Sequence, residues 1–185
     1  MDNGEASYRR FLEGDDYGLV EIIRDYKDGL ILYICGIVGN ITAAEELMED
    51  VFVKLAVRKP KFKGKSSFKT WLYAVGRNAA IDYTRRQSRM NSVPIEECDD
   101  LLSDERSLEA AYIREERRIT VHRMLVRLKP DYRQSLYLVF FEDFSVKEAA
   151  RIMKKGRHQM ENLIYRAKLS LKHELEKEGF VYEEL

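Results

Sequence analysis

The sequence predicts an all-α protein of two small helical domains joined by an acidic linker, the C-terminal domain containing a helix-turn-helix. Three observations carry this. Apolar residues recur every three to four positions through most of the 185 residues, the period of a helix and not the alternation of a strand. The stretch from Asn91 to Asp104, NSVPIEECDDLLSD, breaks that period with a proline and many acids, as a linker does. Near the C-terminus, Ser145 and Glu148 have capping-box spacing. Ala149-Ala150, a break at Lys154 to Gly156, and Met160 then follow the pattern of two helices meeting at a sharp corner. The domains expected are 1–91 and 113–185, with the linker at 92–112.

Taken in order, Tyr8, Phe11 and Leu12 open an amphipathic pattern that resumes at Leu19, Val20, Ile22, Ile23 and Tyr26. It runs on through Leu30 to Val38, and Gly39-Asn40 breaks it. Thr42 is the expected N-cap of the next helix, with Glu45 as its capping-box partner. That helix, AAEELMEDVFVKLA, offers Leu47, Met48, Val51, Phe52 and Leu55 for burial and turns Glu45, Glu46, Glu49 and Asp50 outward. The loop from Arg58 to Ser67, RKPKFKGKSS, carries five cations and one aromatic, Phe62. Lysines at Lys61, Lys63 and Lys65 suit phosphate contact.

Ser66 or Ser67 is expected to cap the long helix that ends near Arg89. On it Phe68, Leu72, Val75, Ala79 and Tyr83 share one face, Trp71, Asn78 and Arg85 run down one flank, and Lys69, Tyr73, Arg77 and Thr84 down the other. A helix apolar on one side, with cations and rings on the others, is suited to sit on a core and face a polyanion; a plain basic surface helix with a core tryptophan is the bland alternative. After the linker, a helix from Leu108 to Leu128 ends at Lys129-Pro130. Asp131 to Glu142 is expected as another, with Leu136, Leu138, Val139 and Phe140 available for burial. In the last helix Met160, Leu163, Ile164, Ala167 and Leu171 face inward, and Arg157, His158, Gln159, Asn162 and Arg166 are placed to meet base edges or phosphates in a major groove.

A formal net charge of zero conceals segregation. Residues 1–57 hold 5 Lys/Arg against 12 Asp/Glu, net −7; residues 58–91 hold 10 against one, net +9; residues 92–118 hold 4 against 9, net −5; residues 119–185 hold 13 against 10, net +3. Blocks of this size keep separate fields over a Debye length of about 8 Å, so one chain can meet an anionic and a cationic partner at different places. The acidic helix suits a basic protein partner; the basic block suits nucleic acid.

No nucleophile, base and orienter constellation is visible, and His122, His158 and His173 lack metal-ligand spacing, so neither catalysis, a metal nor a cofactor is expected. Cys35 and Cys98 suggest one core thiol and one linker thiol, with no disulfide framework. No basic-plus-apolar leader opens the chain, and the run from Leu30 to Val38 is too short to span a bilayer, so a cytoplasmic protein without membrane insertion is expected.

Two halves of the chain resemble the small two-domain bacterial sigma factors of the extracytoplasmic-function type, in the sigma-70 superfamily. In the first half the resemblance rests on AAEELMEDVFVKL and on FKTWLYAVGRNAAIDYTRR, with Arg77, Asn78 and Asp82 matching a family signature; in the second it rests on LKPDYRQSLYLVFFEDFSVKEAARIM and ENLIYRAKLSL. The resemblance implies a dissociable initiation subunit of RNA polymerase and not an enzyme. Glu45, Glu46, Glu49 and Asp50 would then dock on a coiled coil of the largest polymerase subunit. Lys61, Phe62, Lys63, Lys65, Lys69, Trp71, Arg77, Asn78, Asp82, Arg85 and Arg86 would bind and open the −10 region of promoter DNA. The C-terminal helix-turn-helix would read the −35 element, its first helices engaging the flap of the second-largest subunit, and an anti-sigma factor is an implied partner. Lys154 stands where the family's turn commonly has glycine. Two rivals remain at this point: a stand-alone helix-turn-helix regulator with an N-terminal sensing domain, and a helical adaptor with no DNA role.

Overall fold

The structure of the protein, a computed structural model, is described for residues 3–89 and 125–177. The acidic linker at 92–112, Cys98, His122 and most of the helix expected over 108–128 lie outside the described residues. Seven α-helices account for nearly all of what is described: α1 (Asn3–Leu12), α2 (Tyr17–Val38), α3 (Ile41–Arg58), α4 (Phe68–Arg89), α5 (Pro130–Leu136), α6 (Val146–Ile152) and α7 (Arg157–Lys177). A π-helical segment, Tyr137–Phe141, follows α5. Among the described residues there is no strand.

Local chemistry sets the helix ends. Gly39 takes a left-handed φ of 75° and its N–H bonds the Cys35 carbonyl, closing α2. Asn40, extended at φ −144°, then accepts the Ala43 N–H at 2.8 Å and caps α3. The cap expected at Thr42 therefore falls two residues earlier, because an asparagine already in the β region can cap without further rearrangement. Ser67 accepts the Thr70 N–H at 3.1 Å and caps α4, one of the two serines expected. Ser145 and Glu148 form the full reciprocal capping box at the start of α6.

The helix expected over Asp131 to Glu142 is α-helical only to Leu136. Beyond it the turn widens, the Glu142 N–H reaching back five residues to the Tyr137 carbonyl at 3.2 Å. The wider turn leaves Tyr137 and Leu138 buried but Phe140 half exposed, at 50%, with the Lys168 ammonium 4.8 Å from its ring centre. The burial expected for Phe140 is thus replaced by a cation–π contact at the surface.

Close approaches bring α1, α2 and α4 together. A Cβ at Gly18 would lie 2.2 Å from the Ser7 carbonyl, and one at Gly76 would lie 2.7 Å from Leu30 Cδ1. At Gly18 only glycine allows the two backbones this near, and at Gly76 the absent Cβ makes room for the Leu30 side chain. Leu30, Ile34, Leu55, Phe68 and Leu72 are sealed between these helices and α3, each worth about 1.5–3 kcal/mol of burial. Ala150 and Met160 are buried where α6 and α7 cross, the corner that the sequence predicts. The turn between them is a Schellman motif, Lys155 N–H to Ala150 carbonyl at 2.9 Å and Lys154 N–H to Arg151 carbonyl at 3.3 Å. Lys154 has the left-handed φ of 54° that the motif requires. Apolar contact is continuous from Tyr8 in α1 to Ile164 in α7, so the two halves share one core.

Cys35 is buried and disulfide-bonded, contrary to the free core thiol expected from the sequence.

Candidate nucleic-acid interface

The basic loop and α4 present two different surfaces. Lys61, Lys63 and Lys65 are exposed, and beside them Phe62 and Trp71 are half-buried in a ring cluster. Phe62 lies 5.6 Å from Trp71 and 5.7 Å, edge-on, from Phe68; Tyr8 lies 5.7 Å from Trp71. Such edge and tilted contacts hold the rings by about 0.5–1.5 kcal/mol each and leave part of their faces open. The Tyr8 hydroxyl donates to the Pro60 carbonyl at 2.7 Å, tying the loop to α1, and burial pushes its pKa up to about 12. Trp71 is thereby neither wholly core nor wholly surface. Asn78, Asp82, Arg85 and Arg86 continue the exposed strip, Arg85 lying 3.8 Å from Asp82.

Lys69 and Arg77 lie elsewhere. The Lys69 ammonium donates to the Glu142 carbonyl at 2.8 Å and meets the Glu142 carboxylate at 3.0 Å. Arg77 Nε donates to Gln134 Oε1 at 3.0 Å. Between them Tyr73 is 1% exposed and meets Phe144 edge-on at 5.0 Å. Burial drives its phenol far above the ordinary value, and the neighbouring Glu142 carboxylate adds to the shift. The flank that the sequence leaves open to solvent is covered by the C-terminal half.

On α7 the five expected contacts are all exposed. Arg157 bonds Glu161 at 2.9 Å, and His158, 99% exposed, lies 3.4 Å from the same carboxylate. Gln159 Oε1 accepts the Gly156 N–H at 3.0 Å, which commits its oxygen to the helix start and leaves its amide hydrogens outward. Asn162 and Arg166 follow on the same face one and two turns on. Near the same corner Lys147, Arg151 and Lys154 are exposed cations; sequence reasoning noted Lys154 for its place in the turn but named none of the three as a DNA contact, because a lone lysine or arginine on a short helix carries no spacing signal.

Comparison with known proteins bears on this arrangement. Sigma-70 region 2 matches residues 22–90 and Sigma-70 region 4 matches residues 118–171. This chain is a sigma-70 family sigma factor of the extracytoplasmic-function type. It is 26% identical over 158 residues to the RNA polymerase sigma factor YlaC of Bacillus subtilis, covering 85% of this chain and 91% of that one. To the RNA polymerase sigma-H factor of Pseudomonas aeruginosa it is 28% identical over 167 residues, 86% of each chain. The fold is similar to that of the sigma factor RpoE, solved with the anti-sigma factor NepR from Bartonella quintana (TM-score 0.69, 21% identity, 84% of this chain and 95% of that one). It is also similar to CnrH, solved with the cytosolic domain of CnrY (TM-score 0.67, 18% identity, 95% of this chain and 99% of that one).

In this sigma factor Glu45, Glu46, Glu49 and Asp50 are exposed along α3. Glu45 and Glu49 rim an open groove of about 880 Å³ between α2 and α3, floored by Ile31, Leu32, Met48 and Phe52. A second groove sets Glu46, Glu49 and Asp50 opposite Arg86 of α4. The acidic patch is thus joined to apolar surface, a feature that the charge pattern alone does not reveal. Among the described residues no group of three or more His, Cys, Asp or Glu is placed to hold a metal, and no helix is long and apolar enough to cross a membrane. This sigma factor directs RNA polymerase to promoters and belongs to a family of non-catalytic initiation factors.

Proposed function

We propose that residues 1–91 bind core polymerase and the −10 region, that residues 113–185 bind the −35 duplex, and that 92–112 connect them. Lys61, Lys63 and Lys65 neutralise phosphates while Phe62 and Trp71 offer partly open ring faces to an unstacked base. Asn78, Arg85 and Arg86 extend the track along α4, with Lys69 and Arg77 joining it when their flank is free. Strand opening costs stacking energy, and each base taken up on a ring offsets about 1–3 kcal/mol. The juxtaposition of the half-open Trp71–Phe62 pair with three free lysines supports this reading best.

Glu45, Glu46, Glu49 and Asp50 serve the largest polymerase subunit, whose basic coiled coil would lay apolar side chains in the α2–α3 groove. Arg157, His158, Gln159, Asn162 and Arg166 serve the major groove at −35, with the flap of the second-largest subunit held nearby. An anti-sigma factor of the kind seen with RpoE is a fitting inhibitor in the cytoplasm.

Run-off transcription with core polymerase on fragments of the source genome tests the reading. New start sites with a shared upstream pair of elements are expected, and the double substitution Lys63→Ala with Asn78→Ala should weaken open-complex formation while leaving core binding intact. Full transcription by that variant would remove the −10 assignment.

A further inference from the structure

The first turn of α7 spends part of its hydrogen-bonding capacity within the helix, and what is left faces outward. Arg157 Nε donates to Glu161 Oε1 at 2.9 Å. A guanidinium held by its Nε still offers its two terminal amino groups as a planar fork. Gln159 commits Oε1 to the Gly156 N–H at 3.0 Å, so what it can offer a partner is its amide hydrogens. Both side chains are exposed. His158 Nδ1 lies 3.4 Å from Glu161 Oε2, so each oxygen of the carboxylate meets a neighbour on its own helix. Met160 and Ile164 are buried behind this turn and fix the rotation of α7 about its axis.

We propose that Arg157 and Gln159 select guanine in the duplex that α7 enters, with Glu161 as the positioning residue that makes Arg157 selective. The inference deepens the −35 reading and rests on it. In the major groove guanine shows two acceptors, O6 and N7. Cytosine shows a donor, adenine a donor beside one acceptor, and thymine one acceptor beside a methyl group. Side chains that present donors alone therefore match guanine at both contacts and meet a repelling donor or a methyl group on the other three bases. An arginine left unheld can turn its fork to phosphates, which carry no sequence information. The Glu161 carboxylate removes that freedom by fixing the plane of the guanidinium from its Nε edge. In water an exposed pair of this kind adds little to stability; it strengthens where base edges displace the water around it. Its contribution is direction more than affinity.

The test uses the full chain assembled with core polymerase and a pool of duplex DNA carrying a randomised block, the bound fraction being sequenced. The parent should enrich a motif with guanine at two positions, each favoured about tenfold over the other bases. Arg157→Ala should erase the preference at one of them and Gln159→Ala at the other. Glu161→Ala should erase the preference at the Arg157 position although Arg157 is still present. Glu161→Gln should keep most of it, because the amide oxygen still accepts the Arg157 Nε proton. A carboxylate that acted only as repelling charge predicts otherwise: Glu161→Ala and Glu161→Gln would raise binding to all duplexes alike and leave the motif unmoved. That result would overturn the role of Glu161, and a base other than guanine at the positions lost in Arg157→Ala and Gln159→Ala would overturn the selection of guanine. The reading beneath is tested separately by Asn162→Ala/Arg166→Ala. A motif that this variant enriches as strongly as the parent does would remove α7 from the −35 duplex, and the inference with it.

Discussion

Replacing Lys154 by glycine should stabilise this protein, an unusual expectation for a single substitution. Lys154 sits at the left-handed position of the Schellman motif between α6 and α7, with φ 54°. An L-residue there costs about 1–2 kcal/mol, while the greater freedom of glycine in the unfolded chain returns about 0.4–1 kcal/mol of that gain. The side chain is exposed, so little packing is lost, and both motif hydrogen bonds are made by backbone. The net gain is about 0.5–1 kcal/mol, a rise of about 1–4 °C in Tm for a chain of this size. Thermal and urea unfolding followed by circular dichroism would measure it. Lys154→Ala is the control: it removes the same side chain but keeps the strained φ, so it should stay within about 0.5 kcal/mol of the parent. If both variants shift alike, or if Lys154→Gly loses stability, left-handed strain is not what this position contributes. Affinity for a −35 duplex should survive Lys154→Gly, because Ala150 and Met160 at the buried corner still fix the angle between α6 and α7.

Three further outcomes follow from the same geometry. Asn40→Ala should cost about 1 kcal/mol in urea unfolding, and Thr42→Ala much less, because the Ala43 N–H bonds Asn40 and not Thr42. Tyr8, Tyr33 and Tyr73 have pKa values raised by burial, so their neutral forms contribute stability in full below pH 10; the share from Tyr8 is lost as pH rises through about 12. In an absorbance titration at alkaline pH these three should ionise only with unfolding, and early ionisation of all the tyrosines would contradict their burial. Cys35 should resist alkylation in denatured, unreduced protein and label only after reduction; labelling without reductant would exclude its disulfide.

The sequence was most informative where structure is local. The Ser145–Glu148 capping box, the break before Gly156 and the buried pair Ala150 and Met160 depend on neighbours within one or two turns, and the structure has all of them. Fine positions were harder, for local reasons too. Asn40 and Thr42 are both good caps, and only the backbone angle at Asn40 chose between them. The π-turn at Tyr137–Phe141 has no periodic signal, so Phe140 was expected inside and lies at the surface.

Residue order and charge by themselves determined the helical class, the helix-turn-helix and the separation of acidic from basic blocks, because periodicity, capping and like-charge runs are written along the chain. Tertiary structure alone decided which flank of α4 stays open. Lys69, Tyr73 and Arg77 read from sequence as solvent-facing companions of the basic loop, yet Glu142, Phe144 and Gln134 cover them from positions 57 to 73 residues away. Helical periodicity assigns side chains to faces, but a face has no partner until the fold supplies one. Here the partner of one DNA-suited flank is the other half of the same chain.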